Sequence, residues 1–253
     1  MRIKPMNRFE AGAIHFALSL VVAATTFTLI RFFWYPGPLF TGAGGVKLFA
    51  LIAGVDVTLG PLLTLVVFVP GKWGLRFDLA VIATLQVSAL AYGSHVLFKS
   101  RPVYVTFVKD RFELVRAEEI DSGDLAKARS PYRDLPLGGP RIAAARLPKD
   151  PKAAMDMMLS GIAGKDVQDF PRYYLSYEEV RSEARSKCRP MARLRELNPS
   201  LGMAIDRSLR EFGHADADTC FLPVRAGARD LTALIDSRDG RYLGLMDARP
   251  WKY

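Results

Sequence analysis

Charge is nearly missing from the first 98 residues of this 253-residue chain. Up to Phe98 there are 7 Lys/Arg and 3 Asp/Glu, against 28 and 23 from Lys99 onward. A stretch so poor in charge does not make a water-soluble domain, so the chain divides into a membrane-embedded first part and a hydrophilic second part. Cysteine is equally scarce. Cys188 and Cys220 are the only two, and no C-x-x-C spacing exists, which removes a dithiol redox motif and a cysteine zinc site. The three histidines, His15, His95 and His214, are too scattered to suggest a triad. Neither a nucleophile elbow, a P-loop, an H-E-x-x-H motif nor a dinucleotide fingerprint occurs. No enzyme, cofactor or metal is therefore expected. The net charge of +9 is spread over both parts, and it suits a basic surface facing lipid headgroups better than nucleic-acid recognition.

What is present are three apolar runs, at 11–33, 47–69 and 79–98, each about the 20 residues needed to cross a hydrocarbon core. The first is too long for a signal-peptide core and lacks a small-residue cleavage site, so it reads as an uncleaved span with Phe32, Phe33, Trp34 and Tyr35 as an aromatic belt. His15 and Arg31 lie near its ends, within reach of the interface. The Pro/Gly-rich "WYPGPLFTGAGG" reads as a loop, and "PGKWGLRFD" as a tight turn. Arg2, Lys4 and Arg8 precede the first span and place the N-terminus in the cytoplasm. Three spans then send everything after Phe98 to the other side.

The second span contains Asp56, with Gly60-Pro61 one turn later. An intramembrane acid is costly and by default suggests function. On a helix Asp56, Gly60 and Thr64 share a face, and Pro61 cannot donate to the carbonyl of Val57. This small, polar face suits helix–helix contact in lipid. Three readings stand: internal pairing with Thr25, Thr26 or Thr28 of span one or with Gln86, Ser88 or Tyr92 of span three; partner binding through Asp56, Gly60, Pro61 and Thr64; or ion transport, for which one acid and three spans make a poor pathway.

Residues 99–253 read as a soluble α+β domain with a small antiparallel sheet, its strands drawn from both ends of the segment and its helices from the middle. "PVYVTFVKDRFELV" predicts a hairpin, and "SRDGR" a second turn. Helix starts are predicted at Asp150-Pro151, at Ser176 with Glu179 as a capping box, and at Asn198-Pro199, the last helix stopping at Gly213. Pro190 should break the arginine-rich "RSEARSKCRPMARLRE", which reads as a solvated face or as a basic patch for anionic lipid or an acidic partner. In "HADADTC" the alternate residues His214, Asp216, Asp218 and Cys220 would share a strand face as ligands can, but a polar loop after Gly213 fits better, since no second ligand cluster accompanies them. In an oxidising compartment Cys188 and Cys220 can pair, closing a loop of about 30 residues. The sequence leaves that bridge open.

Taken together, "FWYPGPLF", "GVDVTLGPLLTLVVF", "PGKWGLRFDLAVIATLQ", "RPVY" and "DRFELV", in this order, resemble the TfpX/TfpZ family of type IV pilin accessory proteins. The resemblance is dense from Ile14 to Val115 and thinner towards "DLTALID…DARPW". It implies a protein of the bacterial inner membrane that assists assembly or stability of a cognate type IV pilin as a pilin-specific chaperone, with a pilin subunit and membrane lipid as partners and no catalytic residues to carry over. The competing expectation from another class is a membrane-anchored sensor or regulator whose outer domain binds a ligand.

Overall fold

A computed structural model describes residues 6–252; Arg2 and Lys4 lie outside the described residues. The chain forms two compact units, one of residues 1–31 and 45–99 and the other of residues 32–44 and 100–253.

The first unit holds three long helices. Helix α1 (Arg8–Leu29) opens on a capping box, in which Asn7 accepts from the amides of Phe9 and Glu10 while Glu10 accepts from the amide of Asn7. It runs on into a π-helical turn over Ile30–Trp34. Beyond a one-turn helix α2 (Leu39–Gly42) come α3 (Gly45–Val67) and α4 (Leu75–Lys99). The three spans fall where the apolar runs predict them, the first and third extended at both ends and the second shifted two residues towards the N-terminus. In the most apolar stretch of each span, only 11, 22 and 17% of the residues are buried within the protein. The outward side chains, such as Leu18, Val21, Leu62 and Val66, are therefore left for hydrocarbon. Helix α3 packs against both α1 and α4, with Gly12 of α1 against Leu65 and Gly93 of α4 against Ile52.

The second unit is built on an eight-stranded sheet. Its elements are β1 (Pro102–Val108), β2 (Arg111–Arg116), α5 (Ser122–Ala126), β3 (Arg141–Ala145), α6 (Pro151–Ile162), β4 (Tyr174–Leu175), α7 (Arg181–Lys187), β5 (Arg189–Pro190), α8 (Met191–Leu197), α9 (Gly202–Glu211), β6 (Thr219–Arg225), β7 (Leu231–Asp236) and β8 (Tyr242–Met246). The order is β4-β3-β1-β2-β6-β7-β8, with β5 also on β6. Both predicted hairpins form: β1 with β2 around Lys109, which takes φ 58°, and β7 with β8, with Gly240 in the turn. The longest strands come from both ends of the segment as predicted, but β3, β4 and the two-residue β5 lie among the helices between them. The sheet is larger than expected and mixed, because β1 pairs parallel with β3 and β2 parallel with β6. Such pairs join strands distant in sequence, whose register no local turn signals.

Asp150 caps α6 through the amide of Ala153, and Ser176 with Glu179 forms the expected box at 177. Pro190 ends the arginine-rich helix as predicted: α7 stops at Lys187 and α8 begins at Met191. Asn198 differs from expectation. Its side chain leaves the helix that follows and ties down the C-terminal segment, donating to the carbonyls of Leu194 and Arg249 and accepting from the amide of Arg249. Cys188 and Cys220 form a disulfide, their Cα atoms 5.7 Å apart across the β5–β6 pairing.

Segment 32–44, expected to be an aromatic belt at 32–35 followed by a loop, is instead a structural part of the sheet unit. Tyr35 is fully buried, and Leu39 sits in the main core with Val105, Phe107 and Leu231. The carbonyl of Gly42 accepts from the amides of both Ala228 and Arg229, at 3.1 Å each. A Cβ at Gly42 would lie 2.6 Å from Leu231 Cδ1, so a larger residue there would have to displace the Leu231 side chain from the core. Gly42→Val should therefore destabilise the sheet unit by about 1–3 kcal/mol. Amide exchange of the full chain in detergent should show β7 losing protection.

Candidate functional site

The buried face of α3 is the one predicted: Asp56, Gly60, Pro61 and Thr64 are all buried. The structure turns it towards the other two helices. Gln86 of α4 donates from Nε2 to Asp56 Oδ1 and to the Asp56 carbonyl, both at 3.1 Å. Gln86 reaches this point because Gly60 has no side chain; a Cβ there would lie 2.1 Å from Gln86 Nε2. Next to Pro61, α4 thus supplies a donor to the backbone one residue before the Val57 carbonyl that Pro61 itself leaves without an amide.

On the other side of Gln86 stands His15 of α1. Its Nε2 is 2.7 Å from Gln86 Oε1 and its Nδ1 2.6 Å from Thr64 Oγ1. The two donations from Gln86 Nε2 leave Oε1 as an acceptor facing the imidazole. The network is then satisfied with a proton on His15 Nε2 that is donated to Gln86 Oε1, while Nδ1 and the Thr64 hydroxyl share the second bond. One chain of hydrogen bonds, Thr64 to His15 to Gln86 to Asp56, links three helices. Gln86 was among the predicted partners of Asp56. His15 was placed at the interface instead; it is a bridging residue, half-buried inside the unit.

Two grooves flank this chain. One, of about 300 Å³, lies between α3 and α4 and is lined by Leu51, Ile52, Val55, Asp56 and Tyr92 among others. The other, of about 290 Å³, lies between α1 and α4 and is lined by His15, Leu18, Ser19, Asp56, Gln86 and Val87 among others.

The sheet unit has a polar cleft of about 270 Å³ lined by Glu113, Arg116, Glu119, Lys165, Asp169 and Arg225 among others. Glu119 and Asp169 are occupied in capping the amides of Arg116 and Asp166. Glu113 faces Arg225 at 3.7 Å, and burial pushes its carboxyl up to about 7 against the pull of Arg225 and Arg111. Elsewhere the arginines of 181–195 are largely paired: Arg181 with Glu178, Arg193 with Glu196, and Arg195 with Asp206 and Asp216. Asp216 is thereby drawn away from His214, which faces Asp236 at 3.9 Å. Among the described residues no group of three or more His, Cys, Asp or Glu is placed to hold a metal ion.

Two outcomes follow from this geometry. In a double-mutant cycle, His15→Ala and Gln86→Ala should couple by roughly 0.5–2 kcal/mol in helix-bundle unfolding, while Gly60→Leu, which evicts Gln86, should cost more than either. Glu113 binds its proton more tightly in the folded than in the unfolded chain, so its favourable contribution is complete below about pH 4.5 and is lost as pH rises through about 7. Glu113→Gln should therefore stabilise the β2–β6 region by roughly 2–3 kcal/mol at pH 8 and by almost nothing near pH 4, read by amide exchange or denaturant unfolding.

The model of the fimbrial assembly protein FimB matches residues 4–44, which include α1 and the strap that enters the sheet unit. The fimbrial assembly protein of serogroup I from Dichelobacter nodosus is 32% identical over 218 residues, 85% of this chain and 85% of its own length. The serogroup E1 protein is 31% identical over the same share. The protein of serogroups C1 and C2 is 41% identical over 121 residues, 47% of this chain and 92% of its own. No solved structure matches. With relatives of this identity aligned along both units, from the spans through the sheet, the chain belongs to the fimbrial assembly protein family.

Proposed function

We propose that this protein is an inner-membrane accessory factor of the TfpX/TfpZ kind, which assists the assembly of a cognate type IV pilin as a pilin-specific chaperone or stabiliser and is not an enzyme. The observation that carries the reading is the family relationship across 85% of the chain, to proteins described as fimbrial assembly proteins. The structure is compatible with that role. The membrane unit spends its polar groups on holding three helices together, as a scaffold for another protein would.

The N-terminus lies in the cytoplasm and the sheet unit in the periplasm. One feature supports this orientation, and a second fits three spans in either direction. The Cys188–Cys220 bridge suits an oxidising compartment. The strap of residues 32–44 belongs to the same unit as residues 100–253, so the first loop and the domain share one side of the membrane, as three spans require. The partners are a pilin subunit and membrane lipid, with no nucleic acid. The apolar face of α6, where Met155, Met158, Leu159 and Ile162 are exposed at helical spacing, is one surface the pilin can use.

Deleting the gene should abolish or strongly reduce surface pili while pilin transcript persists, and the full chain should co-purify with pilin from detergent. Normal piliation in the deletion strain would sink the proposal. Alkaline phosphatase fused after Tyr253 should be active; an inactive enzyme there, with a fluorescent cytoplasmic reporter, would reverse the orientation.

A further inference from the structure

Asp56 is only 8% exposed and, among the described residues, has one side-chain partner, the neutral amide of Gln86, bound at Oδ1. A carboxylate accepts several hydrogen bonds, and in hydrocarbon no water supplies the rest. Intramembrane acids accordingly pair with cations. Within the membrane unit the described Lys and Arg residues, Arg8, Arg31, Lys47, Lys72, Arg76 and Lys99, all lie in the first or last turns of the spans or in the 70–74 turn. His15 is engaged on both ring nitrogens by Thr64 and Gln86. Among the described residues, the unit thus holds an acid at mid-span and no Lys or Arg at that depth.

Access to Asp56 is also built in. Helix α3 packs against α1 and α4, whereas α1 and α4 meet chiefly through the His15–Gln86 bridge. The space between them is the cleft of about 290 Å³, with apolar walls including Leu18 and Val87 and with Asp56 and Gln86 on its lining. From this geometry we infer that the α1–α4 cleft seats a single transmembrane helix from another protein, one that carries a cationic group to Asp56. The partner supplies the missing counter-charge, and its apolar face covers the cleft. This deepens the accessory-protein reading by giving the partner's helix a seat, and it rests on that reading only for the identity of the helix.

The test uses the full chain in proteoliposomes with two synthetic Leu-rich single-span peptides, one with a central Lys and one with Leu in its place. Association is read by energy transfer to a fluorophore on the protein. The Lys peptide should associate at least tenfold more tightly than the all-Leu peptide. Asp56→Leu should remove that difference. Because this variant disturbs the Gln86 hydrogen bonds, Val87→Trp serves as the second variant: it fills the cleft, leaves those bonds intact, and should weaken the Lys peptide by a similar factor. Equal association of the two peptides, or a Lys preference unchanged by either variant, overturns the inference. If the Lys peptide binds as expected but pilin neither co-purifies nor depends on this protein, the seat stands and the accessory-protein reading fails. If pilin co-purifies equally with wild type and Val87→Trp while the peptides do not discriminate, the seat fails and the accessory reading stands.

Discussion

Gln86 spends both ends of one amide inside the membrane, and the first unit is organised around that fact. Its nitrogen answers two acceptors of Asp56, a side chain and a backbone carbonyl, and its oxygen answers His15, which in turn engages Thr64. In water each of these bonds would compete with solvent and contribute little. In hydrocarbon the alternative is an unpaired dipole, so a single amide fixes how α1, α3 and α4 register against one another. Gly60 is the steric condition for this arrangement, since any side chain there would occupy the place of the amide.

The second unit depends on a different economy. Its core is completed by residues that lie between two membrane spans in the sequence. Leu39 fills the same cluster as Phe107, Phe112 and Leu231, and the Gly42 carbonyl closes on two amides just before β7. The mixed sheet follows from the long connections: β3 and β6 return parallel to the hairpin strands after crossing the domain, so hairpin chemistry alone does not specify it. The match of the FimB model to residues 4–44 falls on the first span and this strap, a stretch that serves both units.

Much of this was legible in the sequence, and the reasons are local. The spans show as runs nearly without charge, the hairpins as "KDR" and "SRDGR", the start of α6 as Asp150-Pro151, and the 3-10 turn that leads into α7 as Ser176 with Glu179. The Asp56–Gly60–Thr64 face was readable from helical periodicity, and Gln86 from being one of few polar residues in span three. Other features depend on contacts between distant segments. His15 looked like an interfacial residue because its position near the start of a span says nothing of which helix stands beside it. Asn198 has the form of an N-cap, yet the C-terminal backbone at Arg249 competes for its amide and wins. The strap looked like a loop because Pro and Gly dominate it, while its two decisive residues, Tyr35 and Leu39, carry no period.

The strap also sets a schedule for biosynthesis. Residues 32–44 leave the ribosome early, but the amides that Gly42 needs belong to Ala228 and Arg229, near the end of the chain. Chains fold largely from the N-terminus as they are made. Here the first loop must wait, its apolar side chains uncovered, until both later spans and almost the whole domain have been translated. The protein therefore closes last what it exposes first, and synthesis of all three helices precedes completion of the sheet unit's core.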